Sequence, residues 1–125
     1  MANTLDQSVD IGAPADRLWD LISTSEGLSG WFVDATVVPG LQGSVTLRFA
    51  LGAEATMPIL VWDPPHRITF GIPDERIHEI TISASAGGSR VQLHDEGVHD
   101  AEARATATGW AGFLGKLRVL AETGR

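Results

Sequence analysis

Residues 106–121 read TATGWAGFLGKLRVLA, and the spacing of their apolar side chains decides the fold. On a helical wheel at about 100° per residue, Thr106, Ala107, Trp110, Phe113, Leu114, Leu117, Leu120 and Ala121 fall in one arc. Arg104, Thr108, Lys116, Arg118 and Glu122 fall on the other side. The spacing predicts a helix over residues 100–122 with a broad apolar face and one polar atom near its middle, the Thr106 hydroxyl. Such a face has to rest on something large and apolar. The segments upstream offer a sheet for it to rest on.

Leu5, Val9 and Ile11 alternate with Asp6, Ser8 and Asp10, the pattern of a half-buried strand. Gly12-Ala13-Pro14 ends it, and Pro14 suits the first position of a helix. That helix collects Ala15, Leu18, Trp19, Leu21 and Ile22 on one side. Residues 25–32, SEGLSGWF, read as a turn and a short helical piece carrying Trp31 and Phe32. From there the period changes from 3.6 to 2. Strands are expected over residues 33–38, 45–51, 56–63 and 68–72, with Pro58 implying an edge position or a bend. Residues 77–84 and 90–96 form a hairpin across Ala86-Gly87-Gly88-Ser89. Gly97 ends the last strand, and Asp100 is placed to cap the closing helix. Strands grouped between short helices and one long helix specify an α+β fold. The expected architecture is a curved antiparallel sheet of six to seven strands wrapped around the C-terminal helix, with two short helices after the first strand. It occupies residues 1–125 as one domain, with no linker or repeat.

Bulk properties exclude several function classes. Hydrophobic residues make up 43% of the chain and charged residues 20%, a globular balance that argues against disorder. No cysteine is present, which removes disulfides, zinc-thiolate sites and thiol nucleophiles. With a net charge of −7, the chain gains nothing from counterion release on nucleic acid and is unsuited to anionic membrane surfaces. No apolar run approaches the ~20 residues that span a bilayer. The opening MANTLDQSVD has neither the basic nor the apolar region of a signal peptide. A soluble, cytoplasmic protein without nucleic-acid or membrane partners is expected.

Ile11-Gly12-Ala13-Pro14, then Leu18-Trp19 and Gly30-Trp31-Phe32, resemble the opening of the helix-grip (START-like, SRPBCC) superfamily. The turn Asp63-Pro64-Pro65-His66-Arg67-Ile68 resembles the mid-domain hairpin of one branch, the homologues of the C-terminal domain of the heat-shock-protein-90 ATPase activator. Asp95-Glu96-Gly97 and Gly109-Trp110-Ala111-Gly112-Phe113-Leu114-Gly115-Lys116-Leu117 are similar to the signature of the same branch. The resemblance implies a seven-stranded sheet gripping a long C-terminal helix, usually with an apolar cavity between them. Relatives bind lipids, plant hormones or polyketides, and some are cyclases or aromatases. The activator carries a further N-terminal domain that these residues do not include, so its co-chaperone role is not carried over. Fold alone constrains function weakly.

If such a cavity exists, sheet parity selects its polar groups. His78 shares a face with Ile80 and Ile82, Asp95 shares one with Val91 and Leu93, and Thr106 sits mid-face on the helix. Few polar groups among apolar walls suit a small-molecule pocket. Burial would raise the Asp95 pKa, with His78 as partner or proton shuttle. The alternative leaves His78 in solvent near a strand end and Asp95 tying down the turn before Gly97. Trp31, Phe70, Trp110 and Phe113, with Met57, either line the pocket or fill the core. Trp19 reads as packing.

The run His94-Asp95-Glu96-Gly97-Val98-His99-Asp100 concentrates ionisable groups, but a strand puts His94 and Glu96 opposite Asp95, and no zinc spacing is present. No metal and no cofactor are expected. No serine sits in a nucleophile elbow, and the Ala86–Ser89 stretch is a turn and not a phosphate loop. Gly109, Gly112 and Gly115, with Ala105 and Ala111, lie on the outer side of the last helix, where each glycine costs about 0.8–1 kcal/mol against alanine. That smooth surface suits a second copy, giving a homodimer, or the protein's own first helix or loops. Three functional readings follow: binding of a small hydrophobic or amphipathic molecule; a cyclase or dehydratase using Asp95 and His78; and a chaperone-modulating interaction module.

Overall fold

The structure, a computed structural model, describes residues 2–123. Seven strands are observed: β1 (Ala2–Ile11), β2 (Asp34–Val38), β3 (Ser44–Arg48), β4 (Glu54–Asp63), β5 (Arg67–Ile72), β6 (Arg76–Ser85) and β7 (Gly88–His99). They form one antiparallel sheet in the order β1-β7-β6-β5-β4-β3-β2. Helices α1 (Ala15–Ser23) and α2 (Ser25–Trp31) follow β1, and α3 (Ala103–Thr123) closes the chain. The sheet runs as a meander from β2 to β7, and β1 adds to its far side, as hairpin-length connections permit.

Local chemistry accounts for the short helices. Pro14 stands one position before α1, as its N-cap with extended backbone, and not as its first helical residue. Thr24 divides α1 from α2: its hydroxyl donates to the Asp20 carbonyl at 2.6 Å and accepts from Gly27 N at 3.0 Å, which caps α2. Two serines of α2 then cover the edge strand β2. Ser25 accepts from Val37 N at 2.8 Å and Ser29 from Ala35 N at 2.9 Å, leaving fewer free donors for a foreign strand.

Pro58 lies where β4 passes from one partner to the other: it pairs with Ser44 of β3, and pairing with β5 begins only at Ile59. The register against β5 then shifts between Ile59 and Val61, in line with the bend that the proline implied. One expectation for β7 needs correction. Gly97 does not end the last strand. It is the extra residue where the β1–β7 register shifts between Asn3 and Thr4, and β7 continues to His99. Its φ of +85° is a left-handed conformation, and a Cβ there would lie 1.8 Å from the Glu75 carbonyl oxygen. Only glycine tolerates both conditions.

α3 begins after a 3-10 turn, Asp100–Glu102. Its Trp110, Leu114, Leu117 and Ala121 are buried on the sheet, while Lys116, Arg118 and Glu122 are exposed, as the wheel requires. The C-terminal end is tied down. Arg17 of α1 donates to the Ala121 carbonyl at 2.8 Å and the Leu120 carbonyl at 3.1 Å, pairing a cation with carbonyls that have no partner within the helix. Glu122 accepts from Gly12 N at 2.9 Å. In the first half of α3 the only buried side chain is Trp110. Among the described residues, no helix is long and apolar enough to cross a membrane.

Candidate functional site

The site grows from the β6–β7 hairpin. A two-residue connection, Ala86-Gly87 with Gly87 at φ +79°, pairs Ser85 with Gly88. That register sets His78 opposite Asp95, Ile80 opposite Leu93 and Ile82 opposite Val91. Because side chains alternate along a strand, all six point to the same side of the sheet, where they are buried. Arg76, two residues before His78, projects to the same side and meets Asp95.

Asp95 is 0% exposed and is held by three donors. Arg76 donates Nε to Oδ1 at 2.8 Å and Nη2 to Oδ2 at 2.7 Å, and the Trp110 indole donates to Oδ2 at 3.0 Å. His78 Nδ1 lies 3.2 Å from Oδ1, within ion-pair distance, yet off the line of a hydrogen bond, so this buried nitrogen has no hydrogen-bond partner. The His78 ring is 7% exposed and sits between Phe70, 5.2 Å away, and Trp110, 6.2 Å away. Burial alone would push the Asp95 carboxyl up. The Arg76 hydrogen bonds, with the neighbouring His78, outweigh it and hold the group well below the usual carboxylate range. The sequence-based expectation of a raised Asp95 is therefore overturned. Arg76 is shifted upward, chiefly by the same hydrogen bonds.

Over this cluster lies a cavity of about 540 Å³ with a mouth to solvent, between the sheet and the first half of α3. Of the residues expected there, Met57, His78, Thr106, Trp110 and Phe113 are on its wall. Three are not. Trp31 is core: its indole donates to the Leu21 carbonyl at 2.7 Å and its ring backs Phe32 and Trp110. Phe70 is fully buried behind His78. Asp95 lies beneath Trp110 and Arg76 and does not reach the cavity surface.

Sequence reasoning missed Phe32 and Arg76. Phe32 stacks on Trp110 at 4.8 Å and 16°, and meets Phe113 edge-on at 4.9 Å. A large apolar residue just past the end of a short helix was its only signal. For Arg76 the signal was hairpin arithmetic: reading the turn as the four residues Ala86–Ser89 displaces the pairing by two, which hides the His78–Asp95 alignment and the arginine beside it. Phe49, 46% exposed, and Ile72, 38% exposed, stand at the mouth. Leu51 near them is fully exposed in a left-handed conformation at φ +65°.

Elsewhere, His94 on the outer face of the sheet bridges Asp6 at 2.6 Å and Glu96 at 2.9 Å, which raises its pKa. No group of three or more His, Asp or Glu among the described residues could hold a metal ion. Gly109, Gly112 and Gly115 have no protein atom near the position a Cβ would take. The first helix and the loops therefore do not pack on them, contrary to one of the two sequence readings. Gly112, Gly115, Val119 and Leu120 instead line an open groove of about 530 Å³ with Gly30.

Comparisons with known proteins agree on architecture. The model of a family described as polyketide cyclase / dehydrase and lipid transport matches residues 3–122. Among solved structures, protein MLL2253 of Mesorhizobium loti is similar with a TM-score of 0.82 and 17% identity, over 94% of this chain and 96% of that one. The Aha1 dimer from Colwellia psychrerythraea gives 0.80 and 18%, over 98% of each chain. DynU16, from the dynemicin biosynthetic locus, gives 0.83 and 22%, over 98% of this chain and 48% of that one. At these identities the likeness is one of fold. No curated protein sequence matches.

Proposed function

The chain belongs to the polyketide cyclase / dehydrase and lipid transport family, and from that membership we propose that it binds a small apolar or amphipathic molecule between the sheet and α3. One observation carries the reading: the cavity of about 540 Å³ falls within the ~300–1,000 Å³ range of small-molecule sites. Its wall joins Leu47, Met57, Trp110 and Phe113 to a few polar groups at His78, Arg76 and Thr106. The aromatic cluster of Phe32, Trp110 and Phe113 offers flat apolar surface. Titration with Nile red tests the proposal. Saturable fluorescence enhancement at one dye per chain, together with a co-purifying small molecule in native mass spectrometry, supports it. No saturable binding of the dye removes it.

A cyclase or dehydratase reading keeps His78 alone. Asp95 neither lines the cavity nor holds a proton to donate, so it is not a general acid; it lies 3.2 Å from His78 Nδ1 without a hydrogen bond to it. Turnover that survives His78→Phe would remove this second reading.

A homodimer through the outer groove of α3 remains a proposal about assembly. The exposed Val119 and the uncovered Gly112 and Gly115 support it. Light scattering that gives a monomer mass at all concentrations ends it.

A further inference from the structure

On the premise that the cavity binds a small molecule, its polar wall also says which kind, and Arg76 is the side chain that decides it. A guanidinium carries five N–H donors and keeps its charge throughout the ordinary pH range. Asp95 takes two of them, one from Nε and one from Nη2. Three are left, two on Nη1 and one on Nη2, and among the described residues none of them meets an acceptor. Glu102, the other charged group on the wall, attracts Arg76 but forms no ion pair or hydrogen bond with it.

Planarity decides where the spare donors lie. The Nε–Nη2 edge is turned toward a carboxylate with no exposure to solvent, so it is the inner edge. The Arg76 side chain is nevertheless 32% exposed and stands on the cavity wall. Its outer end is the one where an N–H of Nη1 runs parallel to an N–H of Nη2. The forked pair with Asp95 already holds the guanidinium in one orientation, so little freedom is lost when a ligand meets it. The Trp110 indole N–H, by contrast, is spent on Asp95. A hydrocarbon guest would strip water from the spare N–H groups and return nothing. A guest with an sp2 oxygen would replace that water by a charge-assisted hydrogen bond.

We propose that the cavity selects an apolar molecule bearing a carbonyl or carboxylate oxygen, held by the outer Nη1–Nη2 edge of Arg76.

Displacement of Nile red by three probes of similar size tests this: 2-acetylnaphthalene, 2-naphthoate and the hydrocarbon 2-isopropylnaphthalene. At least one oxygen-bearing probe should bind about tenfold more tightly than the hydrocarbon, as expected of one charge-assisted hydrogen bond. The ketone and the carboxylate separate a neutral acceptor from an anionic one. Arg76→Met combined with Asp95→Leu should reverse the preference, because the oxygen then loses its water without gaining a donor. Dye displaced no better by either oxygen-bearing probe than by the hydrocarbon overturns the inference and leaves the cavity reading intact. So does an oxygen preference that survives in the double variant. Dye that does not bind at all overturns both. A second measurement needs no variant to fold: the Arg76 guanidinium protons, followed by NMR in the unmodified protein. They should move downfield with the tighter oxygen-bearing probe and not with the hydrocarbon, and the absence of that difference overturns the inference.

Discussion

Arg76 and Asp95 form a forked pair, Nε to Oδ1 at 2.8 Å and Nη2 to Oδ2 at 2.7 Å, around a carboxylate with no exposure to solvent. Parallel charge-assisted bonds of this kind are among the stronger ones in proteins and fix direction as well as distance. Arg76 joins the cavity wall, while Asp95 beneath it holds the Trp110 indole and lies 3.2 Å from His78 Nδ1.

Removing the cation should expose the cost of the buried anion. Arg76→Met leaves Asp95 with one indole donor, and a loss of about 3–5 kcal/mol is expected from urea unfolding. Arg76→Met combined with Asp95→Leu should recover a large part of it, since two apolar side chains leave no charge to desolvate. Equal losses in the single and double variants would contradict the assignment.

Acid stability follows from the depressed Asp95. Its folded pKa lies below its unfolded value of about 3.9, so the unfolded chain binds more protons between the two. The contribution to stability is complete above the unfolded pKa and is lost as pH falls toward the folded one. Tm measured downward from about pH 5 should therefore drop more steeply for the native protein than for Asp95→Asn, which has no proton to take up.

His94 works in the opposite direction. Hydrogen bonds to Asp6 and then Glu96 raise its folded pKa above the ordinary value. Its contribution is fully present below the unfolded pKa of about 6.5 and fades as pH rises through the folded one. NMR titration should find His94 still protonated where a free histidine has lost its charge. Its Gln variant should flatten stability over that interval.

Filling the cavity should separate binding from folding. Ala105 on α3 lines the space and is exposed, so Ala105→Phe introduces a ring without displacing core. Nile red affinity should fall by about tenfold or more, the equivalent of ~1.4 kcal/mol, with Tm little changed. Undiminished dye binding would place the dye elsewhere.

The anchor at the far end of α3 should matter for stability alone. Arg17→Leu removes donors from the Leu120 and Ala121 carbonyls, at an expected cost of about 1–2 kcal/mol. Nile red affinity should be unaffected, because the cavity lies beside the other half of the helix. A matching loss of dye binding would show that the two ends of α3 are coupled.

Much of the architecture was legible because it depends on local pattern. The alternation of Leu5, Val9 and Ile11 with acids, and the arc from Thr106 to Ala121, each report a face without reference to any other element. The site was less legible. Placing His78 and Asp95 on the α3 side needed only parity, but finding them opposite each other needed the hairpin register, and one residue in the length of the turn changes it. Aromatic identity did not separate Trp110, on the wall, from Trp31, behind it, because both lie on apolar faces.

Sequence alone determined the order of elements, the antiparallel meander and the apolar face of the last helix, since periodicity is a property of each segment by itself. Only the tertiary structure decided that the first half of α3 stands off the sheet around about 540 Å³, and that the Asp95 pKa falls where burial would raise it. Both depend on distances between separately formed elements. A gap is the difference between side-chain volumes on facing layers, and the charge state of a buried carboxylate is set by the donors that those layers bring within 3 Å of it.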